Sequence, residues 1–138
     1  MAALHTLLRL RAHAREESQG MLRRAEDERD TQAERVEAVR NAVVQARERA
    51  DPSDPFALAT YHAFRMRQEV AERRESARLQ QREREVEQKR GIHVGRVRDE
   101  IATENVIEAH AKEEEREQAT RDARRMDEIA SRREFDGP

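Results

Sequence analysis

Cysteine is absent from the 138 residues, which excludes disulfides and thiolate chemistry and fits a cytosolic setting. Aromatic residues make up only 3% of the chain, and glycine and proline number 4 and 3. With so little bulky apolar material, a compact globular core is not expected. No apolar run approaches the roughly 20 residues of a membrane span. The N-terminal group Leu4, Leu7, Leu8 and Leu10 is interrupted by arginine and does not read as a signal peptide. A soluble, unprocessed protein is the expectation.

Charge of one sign is missing as well. Lys+Arg number 28 against 30 Asp+Glu, a formal net charge of -2, so there is no global basic field for nucleic acid. Nearly all the cations are arginine, lysine occurring only at positions 89 and 112. No histidine pair (among His5, His13, His62, His93 and His110) has i,i+4 spacing on a helix face, and no glycine-rich phosphate loop is present. No active site, metal or cofactor is assigned.

What remains is charge, at 42% of residues, and a mean hydropathy of -1.15. Arg, Glu, Ala and Gln dominate, all good helix formers. The breakers gather at Asp51-Pro52-Ser53-Asp54-Pro55. A helix arriving through Arg49 and Ala50 cannot continue through Pro52, whereas Asp54 followed by Pro55 supplies an N-cap and a pre-set first helical residue. So short a connection favours an antiparallel hairpin. The fold class expected is all-α: a long antiparallel two-helix coiled-coil hairpin with a C-terminal helical overhang. It forms a single rod over residues 1–138, with helix one at about 3–50, the loop at 51–55 and helix two at about 56–134.

Along helix one, Leu4, Leu8, Met21, Leu22, Ala25, Val36, Val39, Val43, Ala46 and Ala50 recur at seam spacing. Arg11, Arg15, Ser18, Arg29 and Gln32 interrupt them, and Gly20 makes the middle the loosest part. Along helix two, three seam segments are expected: Ala63, Met66, Val70, Arg73 and Ala77; then Val94, Val97 and Ile101; then Ala119, Ala123, Met126 and Ala130. Gly91 and Gly95 offer a bend or register change beside the second.

If the loop is centred on Ser53, facing residues have numbers adding to about 106. Val43 then meets Ala63, Val39 meets Met66, Val36 meets Val70, Met21 or Leu22 meets Val86, Leu8 meets Val97 and Leu4 meets Ile101. Helix one is exhausted near residue 103, leaving about 30 residues of helix two unpaired, roughly 45 Å of helix. Its apolar stripe, Ala119, Ala123, Met126, Ile129 and Ala130, either dimerises or receives a partner protein. In this register Phe56, Leu58, Tyr61 and Phe64 lie off the seam beside the loop, as a contact surface or a cap on the hairpin tip. Arg9, Arg11 and Arg15, with Arg121, Arg124, Arg125, Arg132 and Arg133, make the opposite end basic and suited to an acidic pore or ring.

Three stretches carry a family resemblance: the start Leu4-xx-Leu7-Leu8-xx-Arg11, the pair Tyr61-xx-Phe64 after a proline-bearing loop, and Arg125-Met126-Asp127-Glu128-Ile129-Ala130-Ser131-Arg132 near the C-terminus. In these the chain resembles the FliJ/YscO proteins of flagellar and virulence type III secretion systems. The resemblance implies an antiparallel two-helix stalk, similar to that of rotary ATPases, inserted by its terminal end into the hexameric export ATPase. The ATPase-binding residues it implies are Leu4, Leu8, Arg11, Met126, Asp127, Ile129 and Arg132. It also implies contact with the cytoplasmic domain of the export gate through Tyr61, Phe64, Gln68 and Ala71, and, for some members, binding of substrate chaperones. Where the flagellar pattern has aromatics at the end of helix one, Val43, Val44 and Arg47 stand here.

The function expected is thus a non-catalytic coupling component at the cytoplasmic face of a secretion apparatus, with no direct insertion into the membrane and no nucleic-acid partner. A generic coiled-coil adaptor or homodimeric spacer is the alternative. An RNA-polymerase channel factor, prompted by Asp51 and Asp54 at a hairpin tip, is the weaker rival, because Asp-Pro capping accounts for both acids.

Overall fold

A computed structural model describes residues 1–135, which form two helices: α1, Ala2–Arg49, and α2, Pro55–Phe135. There are no strands among the described residues, and the two helices pack against each other as an all-α hairpin. No helix is long and apolar enough to cross a membrane.

The turn between them is made by side chains acting on backbone. Asp51 Oδ1 accepts from the Ser53 amide (2.9 Å) and hydroxyl (2.7 Å), while the Asp51 carbonyl accepts from the Asp54 amide at 3.2 Å. Asp54 then caps α2, its Oδ1 accepting from the Phe56 amide at 2.9 Å, with Pro55 at the first helical position. The bonds from Ser53 hold the Asp51 carboxyl below the usual carboxylate range.

The chain divides into two compact units, Arg15–Gly95 and a second comprising Met1–Ala14 with α2 from Arg96 onward. In the first, cross-helix bonds run antiparallel: Gln32 Nε2 donates to the Glu75 carbonyl (3.0 Å), Arg82 to Glu28 (2.8 Å), and Arg40 to Glu72 (2.8 Å). Farther from the loop, the Ser18 hydroxyl donates to the Arg15 carbonyl at 2.8 Å and accepts from His93 Nδ1 at 2.9 Å. Ser18 and Gln32 are buried with Ala25, Val36 and Val86. Two of the polar interruptions in the seam of α1, Ser18 and Gln32, are therefore cross-links rather than gaps, whereas Arg29 pairs with Asp30 on its own helix. Among the described residues no buried side-chain polar atom lacks a partner, as burial of such groups requires.

These bonds correct the expected register. On α2 the side facing α1 runs through Leu58, Tyr61, Phe64, Gln68, Ala71, Glu75, Leu79 and Val86, whereas Ala63, Met66, Val70, Arg73 and Ala77 are exposed. Met66 is 68% and Val70 55% exposed, so neither packs against Val39 or Val36 as the seam reading had it. Gln32–Glu75 falls within about one residue of the expected pairing, whereas Glu28–Arg82, Ser18–His93 and Arg40–Glu72 lie about four to six residues beyond it. The reason is area. The phase set by the Asp54–Pro55 start turns Leu58, Tyr61, Phe64, Leu79 and Val86 inward, and these bury more apolar surface than a row of alanines with one methionine and one valine.

In the second unit, Arg11 donates to the Asp99 carbonyl (2.9 Å) and to the Thr103 hydroxyl (2.8 Å), and Thr103 is buried. Leu4, Leu8, Val97 and Ile107 are half-buried, while Val94 and Ile101, expected in the seam, are exposed. Residues 108–135 are helical and exposed throughout. Helix α2 is helical through Gly91 and Gly95.

Candidate functional site

Two surfaces carry the residues singled out from the sequence, one in each unit. In Arg15–Gly95 the loop-proximal surface is an open groove of about 640 Å³ whose floor is built from small residues, Ala42, Ala46, Ala50 and Ala57. Phe56, Tyr61 and Phe64 line it, with Arg49 and Arg67 at its polar margin. Tyr61 and Phe64 sit half-buried on the inward side of α2, and the Tyr61 ring lies 5.5 Å from that of His62. The expectation that these aromatics lie off the seam is therefore corrected: they are part of the packing between the helices, and only Phe56, at 80% exposure, stands clear. Gln68 and Ala71 are half-buried in the same row, one and two turns farther along. Each of the four residues implied for gate contact thus presents a part of its surface, and the alanine floor lets the aromatic edges form one wall of the groove.

The other surface belongs to the unit of Met1–Ala14 and α2 from Arg96 onward. Here the residues implied for ATPase contact fall into two groups that the fold does not bring together. Leu4, Leu8 and Arg11 belong to the paired segment, and Arg11 is committed to Asp99 and Thr103. Met126, Asp127, Ile129 and Arg132 lie on the single helix, beyond Ile107 by some 19 residues or more, about 28 Å of axial rise. Met126 is 68% and Ile129 48% exposed. The sequence reading did not single out Leu10 and Val106, also exposed in this unit. Leu10 is signalled by its place off the Leu4–Leu8–Arg11 row; Val106 has no comparable signal, since its neighbours are polar.

An isolated helix of this length needs local support, and it has it. Glu108 pairs with Lys112 (3.1 Å), His110 with Glu114 (3.4 Å), Glu117 with Arg121 (3.8 Å), and Gln118 donates to Asp122 (3.1 Å), all at i,i+4. Such pairs contribute only about 0.2–0.5 kcal/mol each. Beyond them, among the described residues Arg124, Arg125, Arg132 and Arg133 make no ion pair, although Asp127, Glu128 and Glu134 nearly balance their charge. Arg132 and Arg133 occupy the last turn, where cations complement the helix dipole. The end of α2 is therefore an arginine-bearing amphipathic helix with one apolar stripe and no intramolecular partner for it.

Among the described residues no group of three or more His, Asp or Glu side chains could hold a metal ion. The candidate surfaces are an aromatic-walled groove in one unit and an exposed, unpartnered helix in the other, both carried by an all-α helical hairpin. The family model described as Flagellar FliJ protein matches residues 1–136, and the chain belongs to that family, a non-enzymatic component of the flagellar export apparatus. No curated protein and no solved structure matches it.

Proposed function

We propose that the protein is the coupling stalk of its export apparatus. The exposed end of α2 enters the ring of the hexameric export ATPase at the cytoplasmic face of the secretion machinery, and the loop-proximal groove meets the cytoplasmic domain of the export gate. The observation that carries this reading is the run 108–135, in which a helix keeps an apolar stripe exposed to water beside four arginines that make no ion pair. A stripe of this kind stabilises an assembly only when a partner covers it, and arginines without an ion pair can meet acidic groups on that partner. An asymmetric helix bearing on near-identical subunits favours some of their conformations over others, which promotes ring assembly and sequential turnover without any catalytic group on the stalk. In this reading Met126, Ile129 and Arg132 make the main contact, and Asp127 sets its orientation. Leu4, Leu8 and Arg11 act by holding the base of the helix. Tyr61, Phe64, Gln68 and Ala71 contact the gate through their outer edges, and substrate chaperones are further partners in the same route.

The test is co-purification with the export ATPase, comparing the full chain with one ending at Glu117. Loss of ATPase binding on truncation, with the hairpin still folded by circular dichroism, is the result expected. Undiminished binding by the truncated chain would place the contact elsewhere. A concentration-dependent dimer of the full chain that the truncation abolishes, with no ATPase binding by either chain, would instead support the homodimeric spacer.

A further inference from the structure

Between Ala59 and Ala77, α2 is apolar on two opposite sides. One side packs inward through Tyr61, Phe64, Gln68 and Leu79, and the other, Ala59, Ala63, Met66, Val70 and Ala77, is entirely exposed. Ala59, Ala63, Met66 and Val70 follow i,i+3/i+4 spacing, Arg73 takes the next row position and Ala77 ends it, about five turns or roughly 27 Å in all, before Gln80, Gln81 and Arg84 begin. It is not the groove, whose walls lie on the inward side and on α1. The charge around it is not balanced. Glu69 is held by Arg65 at 3.4 Å, Glu72 by Arg40 at 2.8 Å, and Glu75 by Arg78 at 3.0 Å and by Gln32. Arg73, which lies within the row, and Arg74, which borders it, have no acidic partner among the described residues.

We infer that this outer face of α2 is a docking site for an amphipathic helix whose apolar stripe is flanked by Asp and Glu. Three features select that occupant. The row has helical spacing, so the complementary surface is another helix lying along it. Its ends are alanine, which lets a second helix approach closely while Met66 and Val70 supply the central apolar anchors. Arg73 within the row and Arg74 beside it carry no ion pair, so carboxylate flanks gain charge-assisted bonds, whereas a second copy of this face would set arginine against arginine. Contact here leaves the groove and the end of α2 free, so the inference does not depend on the stalk reading.

The experiment uses the full chain and two synthetic helical peptides of about 20 residues, long enough to cover the row. Both carry the same leucine stripe, one flanked by Glu and the other by Lys, and binding is read by fluorescence anisotropy. The Glu-flanked peptide is expected to bind, and the Lys-flanked one at least roughly tenfold more weakly. Met66→Asp combined with Val70→Asp should abolish binding while Met126→Asp leaves it intact. Both positions are exposed, so the helix content should not change. Arg73→Glu combined with Arg74→Glu should reverse the preference between the peptides, a readout that loss of folding cannot mimic. Absence of binding by the Glu-flanked peptide, equal binding of the two peptides, or binding that survives Met66→Asp with Val70→Asp would overturn the inference. So would self-association of the free chain that this double substitution removes.

Discussion

The stretch Arg15–Gly95 and the run 108–135 are built from the same few amino-acid types, yet they hold their helices by different means. In the first, polar residues that fall in the seam are bonded across to the other helix, as Ser18 is to His93 and Gln32 to Glu75, while Arg29 pairs locally with Asp30. In the second, every link is local, at i,i+3 or i,i+4, and the apolar residues face water. Helix propensity alone does not separate the two; what separates them is whether a second helix stands opposite. Long-range bonds confer a unique register, whereas local pairs support a helix that is ready to be covered by something else.

The sharpest way to break this comparison is to put the same charge in both regions. Val86 is 2% exposed, so Val86→Asp buries an unpaired carboxylate and should cost about 3 kcal/mol or more. Met126→Asp should change stability by less than about 0.5 kcal/mol, because the position is already solvated. Urea unfolding followed by circular dichroism measures both, and similar losses would mean that the stripe of residues 119–130 is buried in the free protein.

A smaller effect of opposite sign is expected at Gly20. It lies within α1 with no atom within 4 Å of where a Cβ would stand. Gly20→Ala should therefore raise stability by up to about 1 kcal/mol, read as an increase in the urea midpoint; a decrease would show that the glycine serves an approach of the helices.

The smallest effect concerns the turn. Bonds from Ser53 depress the Asp51 carboxyl in the folded chain, so its contribution is present above the unfolded pKa and is lost as pH falls through the depressed folded value. Asp51→Asn should flatten this acid limb of the melting-temperature profile slightly, leaving the neutral-pH fold intact. An unchanged acid limb would show that the Asp51 turn is not linked to stability.

Much of the fold was legible in residue order. Pro52, Asp54 and Pro55 marked the end of one helix and the start of the next, because capping and the missing proline N–H act locally. The unpaired end of α2 followed from the unequal helix lengths alone. The register was not legible. Counting apolar matches favoured Val36 opposite Val70, whereas the chain turns Tyr61, Phe64 and Val86 inward and bonds Arg11, Ser18 and Gln32 to partners on α2. Those bonds depend on the azimuthal phase of α2, which the loop fixes in three dimensions and which one-dimensional spacing leaves free. The same error of phase hid the outer row of Met66 and Val70, since residues assigned to the seam are not inspected as surface. Of the residues proposed for interaction, Met126 and Ile129 were accessible to sequence reasoning because nothing was left to pair with them. The engagement of Arg11 with Asp99 and Thr103 was not, because a charged residue at a seam position reads as an interruption until its acceptors are seen.

The central claim is that residues 108–135 form a helix without an intramolecular partner, whose cover is the export ATPase. Hydrogen exchange on the full chain, alone and with the ATPase hexamer, tests it most directly. Free, amides in 108–135 should exchange far faster than those around Ala25, Val36 and Val86, and with the hexamer they should become protected while the rest of the hairpin changes little. Protection of 108–135 in the free chain at the level of the hairpin, or exchange there that the hexamer leaves unaltered, would contradict the account.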